Sequence, residues 1–215
     1  MIWLDELSKQ YEREKPVFEK VSMLIPGGVR IGVLGDPGSG KSTLLKLIGG
    51  VELPSSGRVA VEGRLLWPGS IQSAMNNQMT LQQNLRFLGR LYTEEDSEME
   101  VMIERIMEIA QIEDFRDTLW SKVPATHKPR LKYAVMIAVP VDWLLIEGSL
   151  SPKKDERFLE MMERKMLRTN TLLISSNKKI LTKYCDAGIV IHQKKLHYFD
   201  SIRDALKFYK SESSQ

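Results

Sequence analysis

The sequence predicts an α/β fold in which a parallel sheet is covered by helices, and three observations lead to this prediction. The last third of the chain alternates short apolar strands with helices, which is the pattern of successive βαβ units. A loop rich in glycine and serine, Gly35–Gly40, separates a β-rich stretch from an apolar helix. The 215 residues are 42% apolar and 27% charged, enough to bury a core and stay in solution. We therefore expect one domain, 1–215, with a helical subdomain inserted at about 76–135.

The first third is predicted to form strands and turns around a single helix. The helix Lys41–Ile48 carries its leucines on one face and is expected to end at Gly49. A turn at Pro54–Gly57 separates it from the next β-rich stretch. The predicted strands of this region are 2–4, 17–25, 29–34, 58–61 and 64–67.

The middle of the chain is predicted to be helical, and the last third to alternate. Thr80 is expected to cap a helix that ends at Tyr92, and Thr93 a longer helix to about Ile112 with acids in its first turn. The remaining predicted elements are helices at 130–139, 152–167, 178–184 and 201–209, and strands at 143–146, 171–175, 187–192 and 195–199.

The segment from Gly35 to Ser42 matches G-x-x-x-x-G-K-[ST], the pattern of a phosphate-binding loop. Its glycines permit backbone torsions closed to other residues and let amides approach phosphates. Those amides and the N-terminus of the following helix form a cradle for anions. Lys41 is predicted to reach the β- and γ-phosphates, and the Ser42 hydroxyl to ligate Mg²⁺. The loop therefore predicts nucleotide binding.

Four further features resemble the ATP-binding cassette (ABC) subunits of transporters. Tyr11 follows the first strand, where that family stacks an aromatic ring on adenine. Lys41–Val51 and the turn Pro54–Gly57 are similar to the family's first helix and the turn after it. A helical insertion precedes a later hydrophobic strand, and the order of elements after that strand also matches. Within the family, exporters of capsular polysaccharide or O-antigen are resembled by the segments 66–68, 83–87 and 90–92.

The resemblance implies a P-loop NTPase fold of the ABC type, with a mixed sheet core, an antiparallel β subdomain and a helical insertion. It implies ATP and Mg²⁺ as cofactors, and a second ABC subunit and an integral membrane permease as partners. The permease would dock near Asn76–Tyr92. The resemblance assigns catalysis to Lys41 and Glu147, and Mg²⁺ ligation to Ser42 and Glu147. The implied nucleotide-binding residues are Tyr11, Gly35, Asp36, Pro37, Gly38, Ser39, Gly40, Lys41, Ser42 and Thr43.

Several positions depart from the family's catalytic pattern. Glu147 falls at the Walker B aspartate, and Gly148 where the family has the glutamate that polarises the attacking water. Ser176 falls at the switch histidine, and Val123–His127 replaces the Leu-Ser-Gly-Gly-Gln signature. Asn76 aligns with the glutamine of the Q-loop. Because loss of positioned catalytic groups usually costs orders of magnitude in rate, we expect weak or no hydrolysis in this subunit's own site.

Three alternatives remain open. A register shifted by one residue would make Glu147 the catalytic base, and the chain could be an active ATPase with substituted motifs that uses Glu147 or another acid as the base. The chain could instead be a non-catalytic partner or regulatory module of a competent ABC ATPase. The third alternative is a small-molecule P-loop kinase, for which the sequence shows no acceptor-binding signature.

Composition excludes other classes of protein. The 31 basic and 28 acidic residues leave a net charge of +3, too small a bias to indicate a nucleic-acid partner. The single cysteine, Cys185, excludes an internal disulfide framework. The longest apolar run, Ala134–Val141, is far shorter than the roughly 20 residues of a membrane-spanning helix. With no secretory pattern at the N-terminus, we expect a cytoplasmic protein, peripheral on the inner face of the cell membrane and without direct insertion into it.

Overall fold

The computed structural model describes residues 1–12 and 15–212. Within the described residues, the chain forms two compact units. The first is built from Met1–Leu65, Asp142–Gly148 and Thr169–Gln215, and the second from Leu66–Val141 and Ser149–Arg168. The predicted helical insertion at about 76–135 lies within the second unit, which begins earlier and takes in a later segment as well.

The bounds of the elements are as follows. The strands are β1 (Ile2–Lys9), β2 (Phe18–Ile25), β3 (Arg30–Leu34), β4 (Ser56–Val61), β5 (Leu65–Leu66), β6 (Trp143–Glu147), β7 (Asn170–Ile174), β8 (Ala187–His192) and β9 (Lys195–Phe199). The α-helices are α1 (Lys41–Ile48), α2 (Ile71–Ala74), α3 (Leu81–Gly89), α4 (Asp96–Ala110), α5 (Lys128–Ala138), α6 (Glu156–Met166), α7 (Lys178–Tyr184) and α8 (Ile202–Glu212). Short 3₁₀ turns lie at Pro68–Ser70, Glu113–Phe115, Trp120–Lys122 and Pro152–Lys154.

Strands β2, β1 and β4 form an antiparallel sheet in that order. In β1 the side chains of Ile2 and Leu4 are buried and that of Trp3 is exposed, as expected for a sheet with one solvated face. The alternation then breaks, because Glu6 adopts a φ of 48° and the register shifts between Leu4 and Leu7. The shift returns Leu7 to the buried face.

The second sheet has six strands in the order β5-β6-β7-β3-β8-β9. β3 lies parallel to both β7 and β8, β6 is parallel to β7, and β9 is antiparallel to β8. The side chains of β7 from Thr171 to Ile174 are all buried, as in a sheet covered on both faces. The six-stranded sheet is therefore mixed at its edge, and the predicted α/β class with a mixed sheet core and an antiparallel β subdomain is confirmed. Because β3, β6 and β7 are parallel, their carboxyl ends meet at one edge of the sheet, where ligands of open α/β sheets bind.

The second unit is mostly helical. α4 packs on α3 and α5, and α5 packs on α6. The buried face of α4 carries Met99, Met102, Ile103 and Ile106, whose spacing matches an amphipathic helix. No helix among the described residues is both long and apolar enough to cross a bilayer.

The starts predicted for two helices, after Thr93 and at Pro152, lie too early in the chain. Thr80 does cap α3: its hydroxyl accepts from the Gln83 amide and the Gln83 side chain accepts from the Thr80 amide. Thr93 is not a cap, because its hydroxyl accepts from the amide of Glu95, the residue that precedes α4. The helix predicted from 152 begins only after Asp155, whose carboxylate accepts from two amides of its first turn.

The predicted helix ends also shift, and the predicted strand 64–67 is shortened. α3 ends at Gly89 instead of Tyr92. α4 ends at Ala110 because Gln111 adopts a left-handed φ of 56°. The strand predicted at 64–67 is reduced to Leu65–Leu66, and a short helix, α2, follows it without having been predicted.

Candidate functional site

The predicted phosphate-binding loop joins the carboxyl end of β3 to the first turn of α1. Gly40 is the residue before α1 and has a φ of 101°. A Cβ at Gly40 would lie 2.4 Å from a methyl group of Val17 and 3.0 Å from the ring of Phe18. Glycine is therefore required at this position both for the backbone torsion and for the space. The loop backbone and the N-terminus of α1 lie at the edge where the parallel strands end, as an anion cradle requires.

The Lys41 side chain folds across the same loop. Its ammonium group donates to the carbonyl oxygens of Gly35 and Asp36, each at 2.7 Å. Burial lowers the pKa of Lys41, while the negative charges of Asp36 and Glu147 act in the opposite direction. A phosphate held in the loop would add negative charge beside this ammonium and favour its charged form.

Ser42 and Glu147, the two predicted Mg²⁺ ligands, are in direct contact. The Ser42 hydroxyl donates to Oε1 of Glu147 at 2.5 Å, linking the first turn of α1 to the end of β6. A hydroxyl and a carboxylate are oxygen donors of the kind that Mg²⁺ prefers, and the ion usually keeps water and phosphate oxygens as its other ligands. The pair therefore fits the ion, and the contact favours the register in which Glu147 is a metal ligand.

Gly148, immediately after β6, offers no group that could accept a proton from water. Its φ is 94°, and a Cβ built there would meet no heavy atom within 4 Å. Its amide donates to the carbonyl oxygen of Ile174 at 2.9 Å. Asp142 lies at the other end of β6, where its carboxylate accepts from the Arg64 amide at 2.7 Å. Glu147 is thus the carboxylate that β6 supplies to the site.

The segment at the switch position follows β7 at the same sheet edge. Ser176 is exposed. The hydroxyl of Ser175 accepts from the Asn177 amide at 3.2 Å, and the Asn177 side chain accepts from the Lys179 amide at 3.0 Å to cap α7. The polar side chains on either side of Ser176 are therefore used in a local turn and a helix cap.

Tyr11 lies beside the first turn of α1. Its hydroxyl donates to Oε2 of Glu52 at 2.6 Å and lies 3.3 Å from the hydroxyl oxygen of Thr43. The ammonium of Lys9 lies 4.8 Å from the centroid of the Tyr11 ring. The structure thus brings the predicted adenine-stacking residue next to Thr43, another predicted nucleotide-binding residue.

Sequence reasoning missed two residues that contact the predicted site. Glu52 lies in the loop after α1 and accepts a hydrogen bond from the Tyr11 hydroxyl. Because it lies outside a helix, no periodic spacing in the sequence pairs it with another residue. Tyr209, on α8, donates from its hydroxyl to the Asp36 carboxylate at 3.0 Å. The sequence contains a weak signal for Glu52, which is an acid between the end of α1 and the turn at Pro54. It contains no signal for Tyr209, which lies 173 residues from Asp36.

A cavity of about 470 Å³ lies beside the loop in the first unit. It is lined by 15–17, Asp36–Ser39 and 191–194, so one wall of the cavity is the loop itself. The side-chain oxygen of Ser39 is buried and has no hydrogen-bond partner within the described residues. This cavity belongs to the same candidate site.

The predicted Q-loop and signature positions lie in the second unit. The side-chain oxygen of Asn76 accepts from the backbone amide of Gln78 at 2.8 Å. The Asn76 side chain therefore stabilises the turn in which it lies. In the segment Val123–His127, the Pro124 carbonyl accepts from the His127 amide, and the His127 ring packs against Phe115 at 5.1 Å between centroids. The cluster of the first unit comprises Tyr11, the loop, Ser42, Thr43 and Glu147.

Comparisons with known proteins indicate the family and the fold of the chain. A family model described as ABC transporter matches residues 18–147. The polysialic acid transport ATP-binding protein KpsT of Escherichia coli is 24% identical, covering 99% of this chain and 100% of its own. The capsule polysaccharide export ATP-binding protein CtrD of Neisseria meningitidis serogroup B is 29% identical over 98% of this chain and 99% of its own length. A solved ATP-binding subunit of an ABC transporter has the same fold, with a TM-score of 0.75 at 17% identity over 100% of both chains. The resemblance drawn from the motifs is confirmed: this chain belongs to the ABC transporter family.

Proposed function

We propose that this chain is the ATP-binding subunit of an exporter of capsular polysaccharide or a related glycan. It binds MgATP and couples that binding to a membrane permease from the inner face of the cell membrane. The observation that carries the proposal is the convergence of the phosphate-binding loop and the Ser42–Glu147 pair at one edge of the sheet. The names of the relatives support the class of cargo, because the chain spans nearly the full length of both.

Each group at this edge has a role in holding MgATP. The loop amides and the N-terminus of α1 donate to the phosphates. Lys41 gives up its bonds to the loop carbonyls and donates to the β- and γ-phosphates. Ser42 and Glu147 hold Mg²⁺, which supplies charge neutralisation at the phosphates. The Tyr11 ring stacks on the base.

Hydrolysis in this subunit's own site is weak or absent. Gly148 has no side chain to polarise a water molecule, and Ser176 replaces an imidazole with a short hydroxyl. Pro124, in the segment at the signature position, has no amide with which to contact a partner's nucleotide. MgATP binding closes two cassettes head to tail. Because hydrolysis in this chain's own site is weak or absent, reopening of the pair is slow or depends on hydrolysis by the partner.

The permease docks on the second unit near Asn76–Tyr92. In this stretch Phe87 is 60% exposed and Leu91 is 66% exposed, four residues apart. Two large exposed apolar side chains in this stretch support a docking surface here. The surface therefore supports a partner with an apolar contact face.

The test is calorimetry of the purified full chain with MgATP, followed by turnover of the same sample with its permease. We expect MgATP to bind in the wild type and in Lys207→Ala, which removes an exposed lysine of α8, and to bind at least about 100-fold more weakly in Lys41→Ala. Wild-type protein that is folded and binds no MgATP at millimolar concentration contradicts the proposal.

A second candidate is a non-catalytic partner of a competent cassette. Gly148 favours it, because this chain's own site has no side chain to polarise the attacking water, so turnover would depend on a competent cassette. Steady-state turnover separates the candidates. No turnover alone but turnover on adding a competent cassette supports the partner; full turnover alone supports an active ATPase with substituted motifs.

A further inference from the structure

We propose that Glu52 is a positioning residue for Tyr11: it fixes the phenol ring against α1 so that one ring face receives the nucleotide base. The inference rests on the proposed binding of ATP and adds a residue from outside the predicted site. Four residues of the first unit carry it together with Glu52, and all of them are within contact distance of it or of Tyr11: Lys9, Tyr11, Thr43 and Lys46.

The hydroxyl end of Tyr11 is held at a defined point beside the phosphate-binding loop. It donates to Oε2 of Glu52 at 2.6 Å, the short distance typical of a bond to a charged acceptor. The same oxygen lies 3.3 Å from the hydroxyl of Thr43, which directly follows Ser42 in α1. These contacts tie the ring to α1, the helix whose N-terminus forms part of the phosphate cradle.

Glu52 is itself fixed by two lysines. Lys46 donates to its Oε1 at 2.9 Å, and the Lys9 ammonium lies 3.3 Å from its Oε2. Lys9 also donates to the carbonyl oxygen of Leu53 at 2.9 Å. The hydrogen bond from Tyr11, helped by the two lysines, lowers the pKa of Glu52 to about 2, so its side chain is a pure acceptor at neutral pH. A carboxylate tethered at both oxygens holds one rotamer and therefore one position for the Tyr11 hydroxyl.

The Lys9 ammonium decides which ring face remains for the base. It lies over the Tyr11 ring, 4.8 Å from the centroid, where the ring's electron-rich face attracts a cation. Tyr11 is half-buried, and its hydroxyl edge is engaged by Glu52 and Thr43. The base therefore stacks on the face opposite Lys9, and the carboxylate holds both Lys9 and the hydroxyl in place.

A merely structural role for Glu52 makes a different prediction. If the carboxylate only stabilised the loop between α1 and β4, its loss would lower the melting temperature and weaken every ligand alike. A positioning role acts only on ligands that carry a base. Inorganic tripolyphosphate occupies a phosphate cradle and has no base, so it separates the two roles.

The experiment is calorimetry of the full chain with MgATP and with magnesium tripolyphosphate. The variants are Glu52→Ala, Glu52→Gln and Tyr11→Phe. Glu62→Ala, at an exposed acid of the same first unit, is the matched control. We expect Glu52→Ala to weaken ATP binding about tenfold, which corresponds to about 1.4 kcal/mol and lies within the range of base stacking on an aromatic ring. Tripolyphosphate binding should stay within about twofold of wild type. Glu52→Gln keeps an acceptor for the Tyr11 hydroxyl and should restore most of the ATP affinity.

Tyr11→Phe keeps the test decisive even if Glu52→Ala fails to fold, because it removes only the hydroxyl. It should weaken ATP binding as Glu52→Ala does, and the double variant should be no worse than either single one. The proposal is overturned if ATP affinity is unchanged in Tyr11→Phe, or if both ligands weaken equally in Glu52→Ala. Wild-type protein that binds neither ligand overturns the proposed function instead, which is a distinct result.

Discussion

The Ser42 hydroxyl donates to the Glu147 carboxylate at 2.5 Å, joining two residues that are 105 positions apart in the sequence. Ser42 lies in the first turn of α1, and Glu147 ends β6. In the sheet, β7 lies between β6 and β3, the strand that leads into α1, and the parallel pairing of these strands brings their carboxyl ends to one edge. The contact joins the phosphate-binding loop to a carboxylate and so defines where Mg²⁺ is expected.

Glu147→Gln should weaken ATP binding about tenfold in the presence of Mg²⁺ and leave Mg²⁺-free binding unchanged, because the amide keeps the shape but loses the charge that holds the cation. Glu147→Asp should retain the Mg²⁺ effect, since an aspartate is the residue that the family has here. Calorimetry in magnesium and in chelator measures both. Equal weakening in both buffers would show that Glu147 acts on the fold and not on the ion.

Gly40→Ala and Gly148→Ala should differ although both glycines have positive φ. At Gly40 the new Cβ would lie 2.4 Å from Val17, so we expect the free energy of unfolding to fall by about 2 kcal/mol or more and MgATP binding to be lost. At Gly148 nothing lies within 4 Å, so we expect only the backbone strain, about 1 kcal/mol, with binding retained. Denaturant unfolding and calorimetry of the two variants check this. A Gly40→Ala protein as stable as wild type would refute the close approach.

Gly148→Glu combined with Ser176→His should raise ATP turnover, because the pair restores the two catalytic side chains of the family. The space beside Gly148 admits the new side chain, but the φ of 94° makes it strained, so we also expect about 1–2 kcal/mol of lost stability. Turnover and unfolding are measured on the same preparation. Each single variant serves as the control, and a double variant without gain counts against this alignment.

Lowering the pH should destabilise the protein partly through Glu52. Its pKa is lowered from 4.5 to about 2 in the folded state, chiefly by the hydrogen bond from Tyr11. A carboxyl whose pKa is lowered by folding stabilises the fold above its ordinary pKa, and this stabilisation is lost as the pH falls towards the folded value. The unfolding free energy of Glu52→Gln should therefore fall less than that of wild type between pH 5 and about 2. Parallel curves for the two proteins would contradict the contact.

Local signals in the sequence predicted most elements and failed where two local signals compete. Thr80 caps its helix as predicted because the capping bonds reach only three residues along the chain. Thr93 and Glu95 both precede the next helix, and the helix begins after Glu95 because the Thr93 hydroxyl accepts from the Glu95 amide in a turn before α4. Likewise α6 begins after Asp155, and Pro152 begins a separate 3₁₀ turn. Propensity could not decide these starts, since each competing residue is an acceptable beginning for a helix.

The sequence by itself determined the phosphate-binding loop and the α/β class, because glycine torsions, a helix N-terminus and the alternation of strands and helices are properties of neighbouring residues. Only the tertiary structure decided that Glu147 meets Ser42, that Tyr11 is held by Glu52, and that Tyr209 contacts Asp36. Those contacts join residues 41 to 173 positions apart. Hydrogen bonds over such separations form only after sheet order and helix packing have brought the partners together, and no local pattern encodes that order.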